Sequence, residues 1–177
     1  MAGVLAGATP TPGGGAAAAR GGRLATSRVR MVTGISLQKM EGVVASEEAV
    51  DESGPAILEE AGENALELAR SFRRLEAADI AVFEDFISAL RLPRQGEEEK
   101  AKRKQALFDA AEKATIVPLD TLSACLGVLE LIDTLLDAAG AGVVRLGADS
   151  DLGAALEVSH AAFQAAELTI HANLSML

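Results

Sequence analysis

A chain of 177 residues with a formal charge of −10 is long enough to bury a core as one domain, and its acidity argues against nucleic acid as a partner. One cysteine, Cys125, excludes an internal disulfide and, with two histidines, leaves no zinc set, so a reducing cytoplasm is expected. No apolar run approaches the roughly 18 residues of a membrane span, so no membrane partner is expected.

Residues 1–8 read as a flexible leader. The first forty residues hold five cations (Arg20, Arg23, Arg28, Arg30 and Lys39) and no acid. An acid-free stretch rich in Arg, Ala and Ser is also the composition of an organellar transit peptide, the alternative to a cytoplasmic location. Thr9-Pro10-Thr11-Pro12 fixes an extended approach, because proline locks φ and pushes its predecessor out of the α region. Gly13, Gly14 and Gly15 then allow a turn that side chains would forbid, and Ala16 to Ala19 begin a helix. Such a turn leaves unpaired N–H groups at the positive end of the helix dipole, a seat for an anion or a flat polar ring. The bland alternative is an ordinary Pro/Gly loop.

The first helix is predicted over roughly Ala16 to Met40, interrupted near Gly34, with a flexible acidic segment around Ser46 to Pro55. A second, about Ala56 to Leu92, carries Leu58, Ala61, Ala65, Leu68, Phe72 and Leu75 at steps of three and four, then Phe83, Phe86 and Leu90, before Pro93 stops it. A third starts near Glu97 with the favourable spacings Glu98–Lys102 and Glu99–Arg103. Pro118 breaks or kinks the chain. Leu119, Leu122, Leu126, Leu129, Ile132 and Leu136 form the next stripe, ended by Gly140 and Gly142. The last helix runs from about Ser150 to Leu177. The fold class is all-α, an antiparallel up-and-down helical bundle.

Three polar positions interrupt these stripes. Asp79 fills the gap between Leu75 and Phe83, so its carboxylate is either paired, at the stripe's edge in water, or facing a cleft with a raised pKa suited to proton transfer. From spacing alone the bland readings, an edge residue or a partner for an arginine of the first helix, weigh more. Asp149-Ser150-Asp151 opens the last helix, where capping explains two of the three residues but does not need all of them. Asn173 lies on or beside the apolar face near the end of that helix. His160 and His171 read as helix-face residues, and Cys125 as a small core residue.

Taken together, these residues resemble the cyclodeaminase/cyclohydrolase family of folate enzymes, which includes the cyclodeaminase half of formiminotransferase-cyclodeaminase and the stand-alone methenyltetrahydrofolate cyclohydrolases. The family's Pro-Gly-Gly-Gly helix ending in Met-Val is matched by Pro12 to Ala19 and by Met31-Val32. Its acid, Phe, acid and Leu-Pro-basic series is matched by Asp79, Phe83, Glu84 and Leu92-Pro93-Arg94. An acidic-basic run and Val-Pro-Leu follow at Glu97 to Arg103 and Val117-Pro118-Leu119, then Ser150-Asp151 with Ala154-Ala155, and the closing Asn173-Leu174. The basic patch after the first helix keeps one cation, Lys39, within Gly34 to Met40.

The resemblance implies chemistry on the one-carbon unit of a tetrahydrofolate derivative, without a metal. Either 5-formiminotetrahydrofolate closes to 5,10-methenyltetrahydrofolate with loss of ammonia, or water opens the methenyl ring to 10-formyltetrahydrofolate. Both pass a tetrahedral carbon between nitrogens and need a group that moves protons. The resemblance casts Asp151 and Asp79 as the catalytic acids with Ser150 assisting, and Pro12, Gly13, Gly14, Gly15, Lys39, Glu84 and Asn173 as substrate-binding. It also implies a homodimer with folate bound near the subunit contact. The reduced basic patch and the arginines of the first helix favour the alternative, a degenerate homologue serving as a folate-binding or dimerisation module.

Overall fold

The computed structural model describes residues 13–44 and 53–175. The predicted leader, the approach through Pro10 and Pro12, and most of the acidic segment lie outside them. Four helices follow in order: α1 (Gly14–Val44), α2 (Ser53–Leu90), α3 (Glu97–Gly140) and α4 (Asp149–Leu174). Each packs antiparallel to the next and α4 returns to α1, so the four form an up-and-down ring.

The core follows from helical periodicity. On α1, Ala18, Gly22, Ala25, Val29, Val32, Ser36 and Met40 are buried at steps of three and four, and the small ones let neighbouring helices close in. Gly22 allows a close approach: a Cβ there would lie 2.3 Å from the ring of Phe72, among the largest fully buried side chains. Leu58, Cys125, Ile132, Leu135 and Leu152 complete the interior from the other helices. Burial pushes the Cys125 thiol up to about 12, so it stays a neutral core group.

Two predicted breaks are absent. Gly34 does not interrupt α1; it is exposed inside the helix, where glycine costs only about 1 kcal/mol. Pro118 does not end α3, which runs through it. Contrary to the reading of the apolar runs, α3 is long and apolar enough to cross a membrane by length and composition. Isolated acids such as Asp120 and Glu130 divide that apolar stretch in the sequence, and one face of it lines the bundle core at Cys125 and Val128.

Three arginines of α1 are matched by acids on its neighbours, and a fourth, Arg30, is exposed. Arg20 and Arg23 both reach Glu76 of α2, the second at 3.4 Å, and Arg28 meets Asp151 of α4 at 3.6 Å. A charge-bearing α1 therefore fits between α2 and α4 without burying an unpaired cation.

Candidate active site

The beginning of α1, the far half of α2, the middle of α3 and the end of α4 meet at one end of the bundle around a cleft of about 230 Å³. Gly13, Gly14, Gly15, Asp79, Phe83 and Asn173 line it, together with Val117 and Thr169. Antiparallel packing puts them there: residues far apart in the chain share an end because each helix reverses its predecessor.

Asp79 is the charged centre of this cleft. Its Oδ2 accepts a hydrogen bond of 2.9 Å from the Ala16 N–H, one of the groups that the first turn of α1 leaves without a helical partner. The carboxylate thus caps a helix to which it does not belong. The reading of Asp79 as a partner for an arginine is replaced by a division of labour one turn apart, Glu76 taking the arginines and Asp79 the helix terminus. Burial raises the Asp79 pKa above the usual carboxylate value, and the Ala16 N–H lowers it by less. Gly15 is required for this contact, since a Cβ on it would fall 2.0 Å from Asp79 Oδ1. Gly14 and Gly15 are the first residues of the helix, with Gly13 immediately before it.

The opposite wall is made by a proline and an amide. Pro118 has no N–H to give the Ala114 carbonyl four residues earlier. Asn173 of α4 donates its Nδ2–H to that carbonyl, replacing the missing helical bond across the cleft. Thr169, one turn before Asn173 on the same face, was not singled out by the sequence reading, though its i,i+4 spacing to Asn173 was the available signal.

The other residues predicted for the site lie elsewhere. Asp151 and Ser150 stand in the first turn of α4, whose N-cap residue is Ala148 and has no side-chain cap, so neither is the cap that was expected. Asp151 pairs with Arg28, twelve residues along α1 from Ala16, roughly 18 Å of helix away from the Asp79 contact. Lys39 donates to the Gly147 carbonyl at 3.1 Å, and the Gly147 N–H donates to Ser36 Oγ at 2.9 Å, which anchors the α3–α4 connection at that distant end. Glu84 is exposed on α2 and does not line the cleft. Pro12 lies outside the described residues. Among the described residues no group of three His, Cys, Asp or Glu side chains converges as a metal site would require.

What the cleft can do chemically is limited and specific. It offers one carboxyl able to hold a proton at higher pH than a free one, a helix start, two amide or hydroxyl side chains, and apolar walls that would flank a flat ring.

Three comparisons bear on this arrangement. The formiminotransferase-cyclodeaminase family model matches residues 1–177. The chain is 30% identical over 169 residues to a methenyltetrahydrofolate cyclohydrolase of Methylorubrum extorquens, spanning 96% of this chain and 74% of that protein. Its fold is similar to that of a formiminotetrahydrofolate cyclodeaminase from Thermotoga maritima, with a TM-score of 0.73 and 24% identity over 98% of this chain and 75% of that one.

Proposed function

The chain belongs to the formiminotransferase-cyclodeaminase family, and from that membership and the cleft around Asp79 we propose that it is a folate one-carbon enzyme of the cyclodeaminase or cyclohydrolase type. The observation that carries the reading is the pairing of a carboxyl of raised pKa with the start of α1 inside one apolar-walled cleft. The substrate is a tetrahydrofolate derivative whose flat pterin lies between the glycines of α1 and the Val117–Asn173 wall. In the deaminating direction, Asp79 in its protonated form gives its proton to the departing nitrogen as N10 closes on the amidine carbon. In the hydrolytic direction the carboxylate takes a proton from the water that adds to the methenyl carbon and returns it to N5 as the C–N5 bond breaks, the remaining hydroxyl proton passing to solvent as the N10-formyl group forms. Apolar walls strengthen either proton transfer by excluding bulk water.

A homodimer belongs to the same proposal. Ile116, Leu119 and Leu126 share an exposed face of α3, and Leu168 of α4 is 71% exposed, apolar area that a second copy would cover.

The test is to mix the purified protein with 5-formiminotetrahydrofolate and, separately, with 5,10-methenyltetrahydrofolate, following the methenyl absorbance. A rise in the first mixture identifies the cyclodeaminase reaction. A fall in the second, faster than in buffer, identifies the cyclohydrolase. No change in either, from a folded helical protein, sinks the enzymatic reading in favour of the degenerate homologue.

A further inference from the structure

Asn173 lines the Asp79 cleft with one end of its amide already committed to the protein. A primary amide carries two donor hydrogens on nitrogen and two lone pairs on oxygen, and a half-turn of the group exchanges the two ends. The Ala114 carbonyl fixes which end points where, because a carbonyl oxygen only accepts. Pro118 has no N–H to give that carbonyl, and Asn173 Nδ2 donates to it instead. The nitrogen is therefore held against α3, and Oδ1 is the end left over. Among the described residues no hydrogen bond reaches Oδ1.

The next polar side chain on that wall has the same polarity. Thr169, one turn earlier on α4, donates its hydroxyl hydrogen to the Ala165 carbonyl at 2.9 Å, so its Oγ1 has only lone pairs to offer. That oxygen stands at the start of α1, 3.2 Å from where a Cβ on Gly14 would lie. The α4 side of the cleft thus presents oxygen acceptors whose own hydrogens are already donated to backbone carbonyls. Such a wall matches a ligand edge that donates. A ligand edge that only accepts would leave lone pairs facing lone pairs, with both sides desolvated and unpaired. In a tetrahydropterin the 2-amino group is a donor at the end of the bicycle remote from N5. With N5 at Asp79, that amino group extends toward the opposite wall, where Asn173 stands.

We infer that Asn173 Oδ1 accepts a hydrogen bond from the 2-amino group of the pterin, and that Pro118 is the positioning residue that holds the amide in this polarity. The inference rests on the folate reading of the Asp79 cleft. It gives Pro118 a role at the ligand through a hydrogen that it lacks. A residue with a backbone N–H at position 118 would serve the Ala114 carbonyl itself, and the Asn173 amide could then turn either end to the ligand. With proline there, only the acceptor end is presented. A ring without the amino group is then refused, because Oδ1 loses its donor on binding.

The experiment measures equilibrium binding of tetrahydrofolate and of its analogue with a methyl group in place of the 2-amino group. Neither carries a one-carbon unit, so neither is turned over. The natural protein is expected to bind the analogue about tenfold more weakly. Pro118→Ala, which frees the amide to turn, is expected to lose part of that ratio. Pro118→Ala/Asn173→Leu is expected to bind both ligands equally, and its Ala114 carbonyl still has a backbone donor, so the fold is not left with an unpaired group. Circular dichroism establishes that each variant is folded. Equal affinities in the natural protein overturn the inference while the folate reading stands. The full ratio kept by Pro118→Ala overturns the role of the proline, and the full ratio kept by the double variant means that the amino group is read elsewhere, which overturns the role of Asn173. Absence of binding of both ligands to the natural protein overturns the folate reading, and this inference with it.

Discussion

Asp79 carries two demands that pull against each other. Burial opposes its charged form, and the Ala16 N–H that it caps favours that form by less, so its pKa lies above the ordinary carboxylate value. In the unfolded chain it returns to that ordinary value. Between the two, the folded state binds the extra proton, so stability falls as pH rises through this window, and the loss is complete above the raised pKa. Asp79→Asn keeps an oxygen for Ala16 while removing the buried charge. Thermal unfolding should therefore show this variant at least as stable as the natural protein near pH 7, with the difference closing toward about pH 4. Turnover should meanwhile fall by about 10²–10⁴. A variant that is active and less stable would mean that the carboxylate serves only as a cap. Gly15→Ala attacks the same contact from the other side, since its methyl carbon would fall 2.0 Å from Asp79 Oδ1. Denaturant titration should give a loss of about 1–3 kcal/mol. Gly34→Ala, with nothing within 4 Å of the new methyl group, should gain about 0.5–1 kcal/mol in the same measurement.

At the scale of the helices, the joint between α3 and α4 sets the shape of the cleft. The Ala114 carbonyl would be served by the N–H of residue 118 if that residue were not proline, and Asn173 serves it instead. Asn173→Ala should therefore destabilise the protein by about 1 kcal/mol, because a half-buried carbonyl loses its donor. In a Pro118→Ala background the restored backbone N–H makes the amide dispensable. A urea-denaturation double-mutant cycle should give a coupling of about 1 kcal/mol, and strict additivity would mean that the amide and the proline are unrelated. The same joint marks where the sequence stops being legible. Stripes at steps of three and four show the helices because burial acts locally along each of them. Pro118 reads as a break because its replacement donor lies 59 residues from the carbonyl it serves. Asp79 stands out as a polar gap in an apolar stripe, but nothing local reveals that it caps a different helix.

Across the whole bundle, acids and amides with similar local signatures are sorted to opposite ends. Gly13 to Gly15, Asp79 and Asn173 converge because antiparallel helices bring an early, a middle and a late segment together. Asp151, Ser150 and Lys39 sit where α1 ends and α4 begins, and there Arg28 and the Gly147 carbonyl hold Asp151 and Lys39. A sequence motif records order along the chain, and in an up-and-down bundle neighbouring ends alternate, so motif membership does not determine which end a residue occupies. Within one chain, Asp79 and Asp151 therefore cannot touch one substrate atom together. We predict that Asp151→Asn keeps turnover within about tenfold of the natural protein, its role being the pair with Arg28, whereas Asp79→Asn loses orders of magnitude. Steady-state kinetics of the two variants on the methenyl substrate makes the comparison. Equal, severe losses would require the reacting acids to come from two copies of the chain. Mixing the variants would then restore part of the activity, because a hybrid dimer would contain one site with both acids intact. If Asp151→Asn stays active and mixing adds nothing, the proton transfer belongs to the Asp79 end alone.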